Sequence, residues 1–383
     1  MVLTIAPIAP DRARSLAVAV LGTVLIASTY GMARFGVGLF APRLVAERPG
    51  LAPVVGWAAA AQFVSYAVAA AVASRTSDRS PRAGLLLAGT TASLGCVGVA
   101  TTASPGWLVV LVLVGGAGAG LASPALVRVV DALVEPRRAA TAQSLVNTGT
   151  AVGVVVAGVL ALAVPSVAAA WWAMAAVNAA ASAGLLVLVG RQDLGNRAGT
   201  GTSYDWRALG VPAVAAVVVG AGSALVWSYG PLVATRSGPV AEARVGLLWI
   251  ALGIGGLVGP LTGRLVDRAG LRGAWLGSVG AVVVAHLALG AGLGLGLAWP
   301  TYVAMAAFGA GYMCLSGVLI LWAREEWPDA AGRGTSLLFI ALAVGQAIGA
   351  VVLDPLQASR PGAAVVVATL ACLAGAALVR RRA

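Results

Sequence analysis

The chain has 383 residues, of which 60% are hydrophobic and only 10% charged, with a mean hydropathy of +0.95. Soluble domains carry about 25% charged residues, so the composition excludes a soluble globular protein and indicates an integral membrane protein. The net charge of +12 is not laid out as a nucleic-acid-binding face: all 25 basic residues are Arg, clustered at the ends of apolar runs.

Apolar runs of about 20 residues, the length a helix needs to cross a bilayer, recur along the whole chain. A β-barrel would alternate polar and apolar residues in segments of about 10, and no such alternation is present. Twelve spans are predicted. The first half gives 15–40, 54–74, 83–102, 106–128, 141–163 and 167–189. The second half gives 208–234, 244–264, 273–295, 299–322, 335–353 and 361–379. The chain therefore reads as an N-terminal six-helix bundle (1–190), a polar cytoplasmic linker (191–207) and a C-terminal six-helix bundle (208–383). Arg12 and Arg14 precede the first run much as in a signal peptide. That run extends to about Phe40 without a convincing cleavage site, so a retained first helix is expected.

With the N-terminus inside, nineteen Arg fall on the cytoplasmic side and five (Arg43, Arg48, Arg236, Arg244, Arg360) outside, leaving Arg34 within a helix. By the positive-inside rule both termini are cytoplasmic. The absence of Lys, with Ala, Val and Gly so abundant, reads as GC-rich bacterial coding, and so as a bacterial inner membrane. Cys96, Cys314 and Cys372 lie in three different runs, which implies neither a disulfide nor a metal site. Gly149–Gly153 and Gly345–Gly349 have the small-xxx-small spacing that lets helices approach closely in lipid. Pro124, Pro231 and Pro260 are candidate kinks.

Arg34 is the sharpest polar signal within a span, because an Arg at mid-helix costs about 2.5–3.5 kcal/mol on insertion scales and must find a cavity or a partner. Thr23, Ala27, Tyr30 and Arg34 share one helical stripe. The readings that stand are a fixed cation that binds an anionic solute or a carboxylate, an Arg that snorkels to the outer interface, and an Arg satisfied by helix C-terminal carbonyls. Other candidate ligand contacts are Gln62 with Ser65 and Tyr66 in the second span, and Asn147 with Ser144 in the fifth. The seventh span offers Trp227 and Tyr229, the eighth Trp249, the tenth Tyr312 and the eleventh Gln346. Aromatic walls with a few polar groups suit a small organic ligand; ordinary interhelical packing would use the same residues. His286 sits in the ninth span, where a structural hydrogen bond is the expected role. Asp131 and Asp354 are the carboxylates closest to membrane depth, both near span ends.

Between the eighth and ninth spans, Gly263 to Arg272 reads Gly-Arg-Leu-Val-Asp-Arg-Ala-Gly-Leu-Arg. Its four charges (Arg264, Asp267, Arg268, Arg272) require a tight, glycine-bounded turn at a membrane surface. The spacing resembles the signature loop of the major facilitator superfamily of transporters. A degraded copy runs from Ser74 to Arg82 and contains Asp78 and Arg79. Pro136, Ser144, Leu145 and Gly153 match Pro328, Ser336, Leu337 and Gly345 at a constant offset of 192, as a duplicated half would. The segment Tyr30-Gly31-Met32-Ala33-Arg34-Phe35, with Pro42 beyond, resembles the YbfB/YjiJ-like branch of that superfamily.

The resemblance implies an all-α membrane fold of twelve helices in two pseudo-symmetric bundles, with the first and seventh helices lining a central cavity. It implies a cytoplasmic gate built from Asp78 and Arg79 and from Gly263, Asp267, Arg268 and Arg272, with each Asp beside a helix N-terminus of the other half. Two features of the family's antiporters are missing: the Gly-Pro pattern of the fifth span and an Arg early in the fourth. Drug–proton antiport is therefore not supported. The function expected is secondary active transport of a small organic solute, anionic if Arg34 faces the cavity, by alternating access. An exporter of hydrophobic compounds and a non-transporting membrane sensor are the alternatives. One His, scattered Cys and no acidic pair at ligand spacing argue against an enzyme. No cofactor or metal is expected; the partners expected are the solute, membrane lipid and a coupling proton, acting on a monomer.

Overall fold

The computed structural model describes residues 12–76, 80–190, 205 and 207–380. Helix α1 spans Arg12–Glu47, α2 Pro49–Arg75, α3 Pro81–Thr101, α4 Pro105–Leu133, α5 Pro136–Ala163 and α6 Val167–Val189. In the second half α7 spans Gly210–Arg236, α8 Val245–Gly256 and α9 Thr262–Leu295. Helices α10 (Ala298–Glu326), α11 (Ala331–Ser359) and α12 (Pro361–Arg380) complete it. Pro at the first helical position, where no backbone donor is lost, opens α3, α4 and α5.

Eleven helical runs are long and apolar enough to cross a membrane. One of them, Glu242–Leu295, has 54 residues. At 1.5 Å per residue it would be about 80 Å long, far beyond the roughly 30 Å of a bilayer core, so it comprises two crossings. The break falls at Gly270, with φ 68° and ψ 170°, a backbone conformation that glycine alone adopts without strain. Twelve crossings result, as predicted. The expected tight turn is narrower than the sequence reading suggests: residues 262–269 stay helical, Gly263 included, and only Gly270 leaves the helical conformation.

Glycines set the helix spacing, in the same way in both halves. A Cβ at Gly153 on α5 would lie 2.1 Å from the Ala27 carbonyl oxygen on α1. One at Gly349 on α11 would lie 2.1 Å from the Ala221 carbonyl oxygen on α7. Two small-residue seams join the halves. In one, α5 and α8 cross glycine to glycine, with a Cβ at Gly246 only 2.3 Å from the Gly158 carbonyl oxygen. In the other, α2 and α11 bury Ala59, Ala60 and Ala350 together. Such small-residue seams suit helices that must pack in lipid, where no hydrophobic drive brings them together.

Charged residues at the end of α1 close neighbouring helix ends. Arg48 donates to Val99 O (2.8 Å), Ala100 O (2.8 Å) and Thr102 O (2.7 Å) at the end of α3. Arg43 donates to Ala161 O (2.8 Å), Val164 O (3.2 Å) and Pro165 O (2.8 Å) after α5. Glu47 accepts from the Val167 N–H at the start of α6, 3.0 Å away. These satisfy backbone groups that every helix end leaves open. Large apolar side chains that remain exposed, such as Trp107, Val187, Trp299 and Leu370, are liabilities in water and ordinary contacts for lipid.

Candidate substrate-binding cavity

A cavity of about 260 Å³ lies between the two halves. Its walls come from the second half of α10 (Met313, Ser316, Ile320), the first half of α5 (Ser144, Asn147, Thr148) and the first half of α11 (Phe339, Leu342). Those segments all lie toward the membrane face at which α1 begins and α12 ends, and Ser144, Asn147 and Pro260 are exposed there. Toward the opposite face the halves are closed. Phe35 stacks on Trp227 with ring centroids 3.7 Å apart, and a Cβ at Gly38 would lie 2.0 Å from the Trp227 carbonyl oxygen.

Arg34 forms part of the cavity lining at the level where this closure starts. It ends an eight-residue π-helical segment of α1, Ala27–Arg34, a wide turn often found at functional positions. That segment rests on α5 at Gly153, 2.6 Å from where a Cβ on Gly31 would be. The Arg34 side chain is only 5% exposed. Its guanidinium lies 3.8 Å from the centre of the Tyr66 ring, with Phe35 at 5.0 Å, Phe63 at 5.4 Å and Tyr30 at 5.5 Å. Ring faces attract a cation, but they do not neutralise it. Nη2 donates to Gln346 Oε1 at 3.2 Å, while Nε is buried without a hydrogen bond. Among the described residues the ion pairs are Arg43–Glu47 and those of Arg137 and Arg138 with Glu135. None involves Arg34, so the cavity holds a desolvated cation with no carboxylate beside it.

The neighbouring polar groups are aligned with this charge. Gln346 Nε2 donates to Tyr312 Oη at 2.9 Å, which fixes the amide with its oxygen toward Arg34. Tyr312 accepts that bond, so its own O–H is left to donate. The remainder of the wall is mixed: Ser123, Ser144, Asn147, Thr148 and Ser316 stand among Ile26, Met313, Phe339 and Leu342. The arrangement can hold one negatively charged group at its closed end and a body of mixed polarity nearer the mouth.

Of the predicted contacts, Arg34, Tyr30, Asn147 and Tyr312 line the cavity, and Gln346 stands directly behind Arg34. Trp227 and Trp249 are fully buried and back the wall: Trp227 lies 5.1 Å from the Tyr312 ring and 5.9 Å from Trp249. Gln62 lies instead between α2 and α4, where a Cβ at Gly116 would be 2.6 Å from its carbonyl oxygen. Tyr229 faces the closed side and donates to the Ala350 carbonyl. His286 is fully buried, lies outside the cavity lined by Arg34 and has neither ring nitrogen hydrogen-bonded among the described residues, so the structural hydrogen bond expected of it is not formed there. Gly263, Asp267, Arg268 and Arg272 are exposed at the cavity's face, and among the described residues the side chains of Asp267, Arg268 and Arg272 form no hydrogen bond or ion pair. Asp78 and Arg79 lie outside the described residues. Ser123, Thr148, Met313 and Phe339 line the cavity without having been singled out; only Ser123, a hydroxyl before Pro124 in an apolar helix, carried a usable signal.

The sequence model of the Major Facilitator Superfamily matches residues 9–350. The chain belongs to the Major Facilitator Superfamily. The fold of this superfamily member is similar to that of a D-xylose-proton symporter, with a TM-score of 0.76 at 17% identity over 97% of this chain and 98% of that one. The nucleoside transporter NupG gives a TM-score of 0.72 at 12% identity over 96% and 97%. The xylose transporter XylE from E. coli, in a partially occluded inward open conformation, gives 0.71 at 16% identity over 97% and 98%. At such identities the likeness is one of fold. No curated protein matches the chain by sequence. The superfamily and these structures are those of multi-pass membrane transporters rather than of an enzyme.

Proposed function

We propose that this chain is a secondary active transporter that carries a small organic anion across the bacterial inner membrane by alternating access. One observation carries the anionic class: Arg34, desolvated within the cavity and without a carboxylate partner. A carboxylate there would take up the unpaired Nε and the Tyr312 O–H, which are charge-assisted and so among the stronger hydrogen bonds. A single cation favours a monocarboxylate over a dicarboxylate.

The direction of the cavity follows from the Arg distribution. With both termini cytoplasmic, the cavity opens to the cytoplasm and the Phe35–Trp227 side is the outer gate. Asp267, unpaired in this conformation, would engage a helix N-terminus of the other half when the cytoplasmic side closes. The Tyr30–Phe35 segment supports placement in the YbfB/YjiJ-like branch. The protein acts as a monomer in this reading.

The deciding experiment is binding and flux of a panel of monocarboxylates by purified protein in proteoliposomes, with Arg34→Gln beside the wild type. Saturable monocarboxylate uptake that Arg34→Gln abolishes is expected. Unchanged uptake in the variant sinks the anionic class. Uptake of neutral apolar compounds alone would favour the hydrophobic exporter, the reading that the Met313, Phe339 and Leu342 wall supports.

A further inference from the structure

On the closed side, far from the cavity, a carboxyl group sits at the seam between the halves. Asp354 on α11 is partly buried and meets the hydroxyl of Tyr229 from α7. Gln357 Nε2 donates to Asp354 Oδ1 at 3.2 Å. The cover is Gly56 on α2, from the other half: a Cβ there would lie 2.6 Å from Asp354 Oδ2 and 2.6 Å from Tyr229 Oη. No cation lies within ion-pairing distance of Asp354 among the described residues.

The hydrogen bonds at this seam can all be made at once when the acid keeps its proton. A phenol has one proton, and Tyr229 donates it to the Ala350 carbonyl, which can only accept. With that proton directed at Ala350, the contact between Tyr229 Oη and Asp354 is completed by a proton on the acid. Oδ1 is occupied as an acceptor by Gln357, so Oδ2 carries it. An ionised Asp354 would draw the Tyr229 proton away from Ala350 and leave its charge without a cation beneath the glycine cover.

We propose that Asp354 is a proton-binding site that holds the outer gate shut. Tyr229, Ala350, Asp354 and Gln357 all belong to the second half and stay together when the halves part. Only Gly56 leaves. Opening thus admits outer water to Asp354, where an ordinary aspartic acid ionises at neutral pH, and the proton goes to that solution. Closing takes one back, moving a single proton between the acid and the outer solution in each direction. Tyr229 is the titratable group that faces it; α2 and α12 bring no charged side chain to this level, and along α11 the next charge is Arg360, exposed at the helix end. The proposal rests on alternating access but not on the identity of the solute.

The test uses the full chain in lipid nanodiscs without solute, with Cys96, Cys314 and Cys372 replaced by Ala and spin labels at Gly50→Cys and Gly362→Cys. Both positions are exposed, lie on opposite halves of the closed side, and have nothing within 4 Å of an added Cβ. Electron–electron distances at about pH 5 and about pH 8 bracket the titration. The expected result is one short distance at the lower pH and a second, longer one at the higher. Asp354→Asn, whose amide donates to Tyr229 as the acid does, is expected to stay short at both. A distance that ignores pH, or an Asp354→Asn protein that responds like the wild type, overturns the proposal. Should Asp354→Asn not fold, Tyr229→Phe removes the acceptor and is expected to show the long distance at lower pH than the wild type; an unshifted response overturns the proposal equally.

Discussion

Arg34 in the first half donates to Gln346 in the second across 3.2 Å, and this bond spans the seam at the closed end of the cavity. The guanidinium is thereby shared between the halves, with one face on Tyr66, one edge on Gln346, and Nε left over. Gln346→Glu would place a carboxylate against that charge. The expected result is a folded protein whose affinity for monocarboxylates falls about 10- to 100-fold, since a hydrogen bond to a charged group contributes about 1.5–3 kcal/mol. Ligand-dependent shifts in thermal unfolding measure it; an unchanged affinity would show that the solute does not use Arg34.

Gly349 permits the close crossing of α11 over α7. Gly349→Ala adds a methyl group 2.1 Å from a backbone oxygen that cannot yield without moving the helix. A destabilisation of about 1–3 kcal/mol is expected for such overpacking, visible as a lower unfolding temperature in detergent. Gly362→Ala, with open space around it, is the control expected to change little.

Arg48 satisfies three carbonyls at the end of α3. Arg48→Ala leaves them open, which is expected to lower the unfolding temperature while solute affinity stays as in the wild type. Arg48→Lys should recover only part of the loss, because a lysine ammonium is a compact point charge rather than a planar fork. A fall in affinity matching the fall in stability would contradict the separation of this cap from the cavity.

Asp267 is exposed and unpaired while the cavity is open on its face. If its partner is a helix N-terminus in the other conformation, Asp267→Asn should keep solute binding and slow flux. The interaction of a carboxylate with a helix dipole, about 0.3–2 kcal/mol, sets the expected slowing at roughly 2- to 30-fold. Equal flux in variant and wild type would remove Asp267 from the gate.

Much of this architecture is legible from hydropathy and charge, because lipid punishes unsatisfied backbone and so leaves long apolar helices as the only simple solution. Arg34 stands out for the same reason. Depth along a helix is harder to read. Periodicity gives the face that a residue shares, so Trp227 and Tyr229 look like cavity residues, but they lie behind its wall and at the opposite gate. The π-helical segment Leu225–Tyr229 adds to this, since an extra residue in a turn moves everything after it out of the α-helical phase. Met313 and Phe339 are ordinary apolar residues in apolar helices, and nothing in their identity separates a cavity wall from a lipid contact.

The three capping side chains at the end of α1 have a mechanical consequence. Arg43, Glu47 and Arg48 clasp the ends of α3, α5 and α6, so α1 cannot tilt at that rim without dragging them. Arg34 lies nine residues before Arg43 on the same run, a lever arm of roughly 13 Å at 1.5 Å per residue. A solute that pulls on Arg34 therefore applies a torque to four helices together, and the rim turns as one plate or not at all.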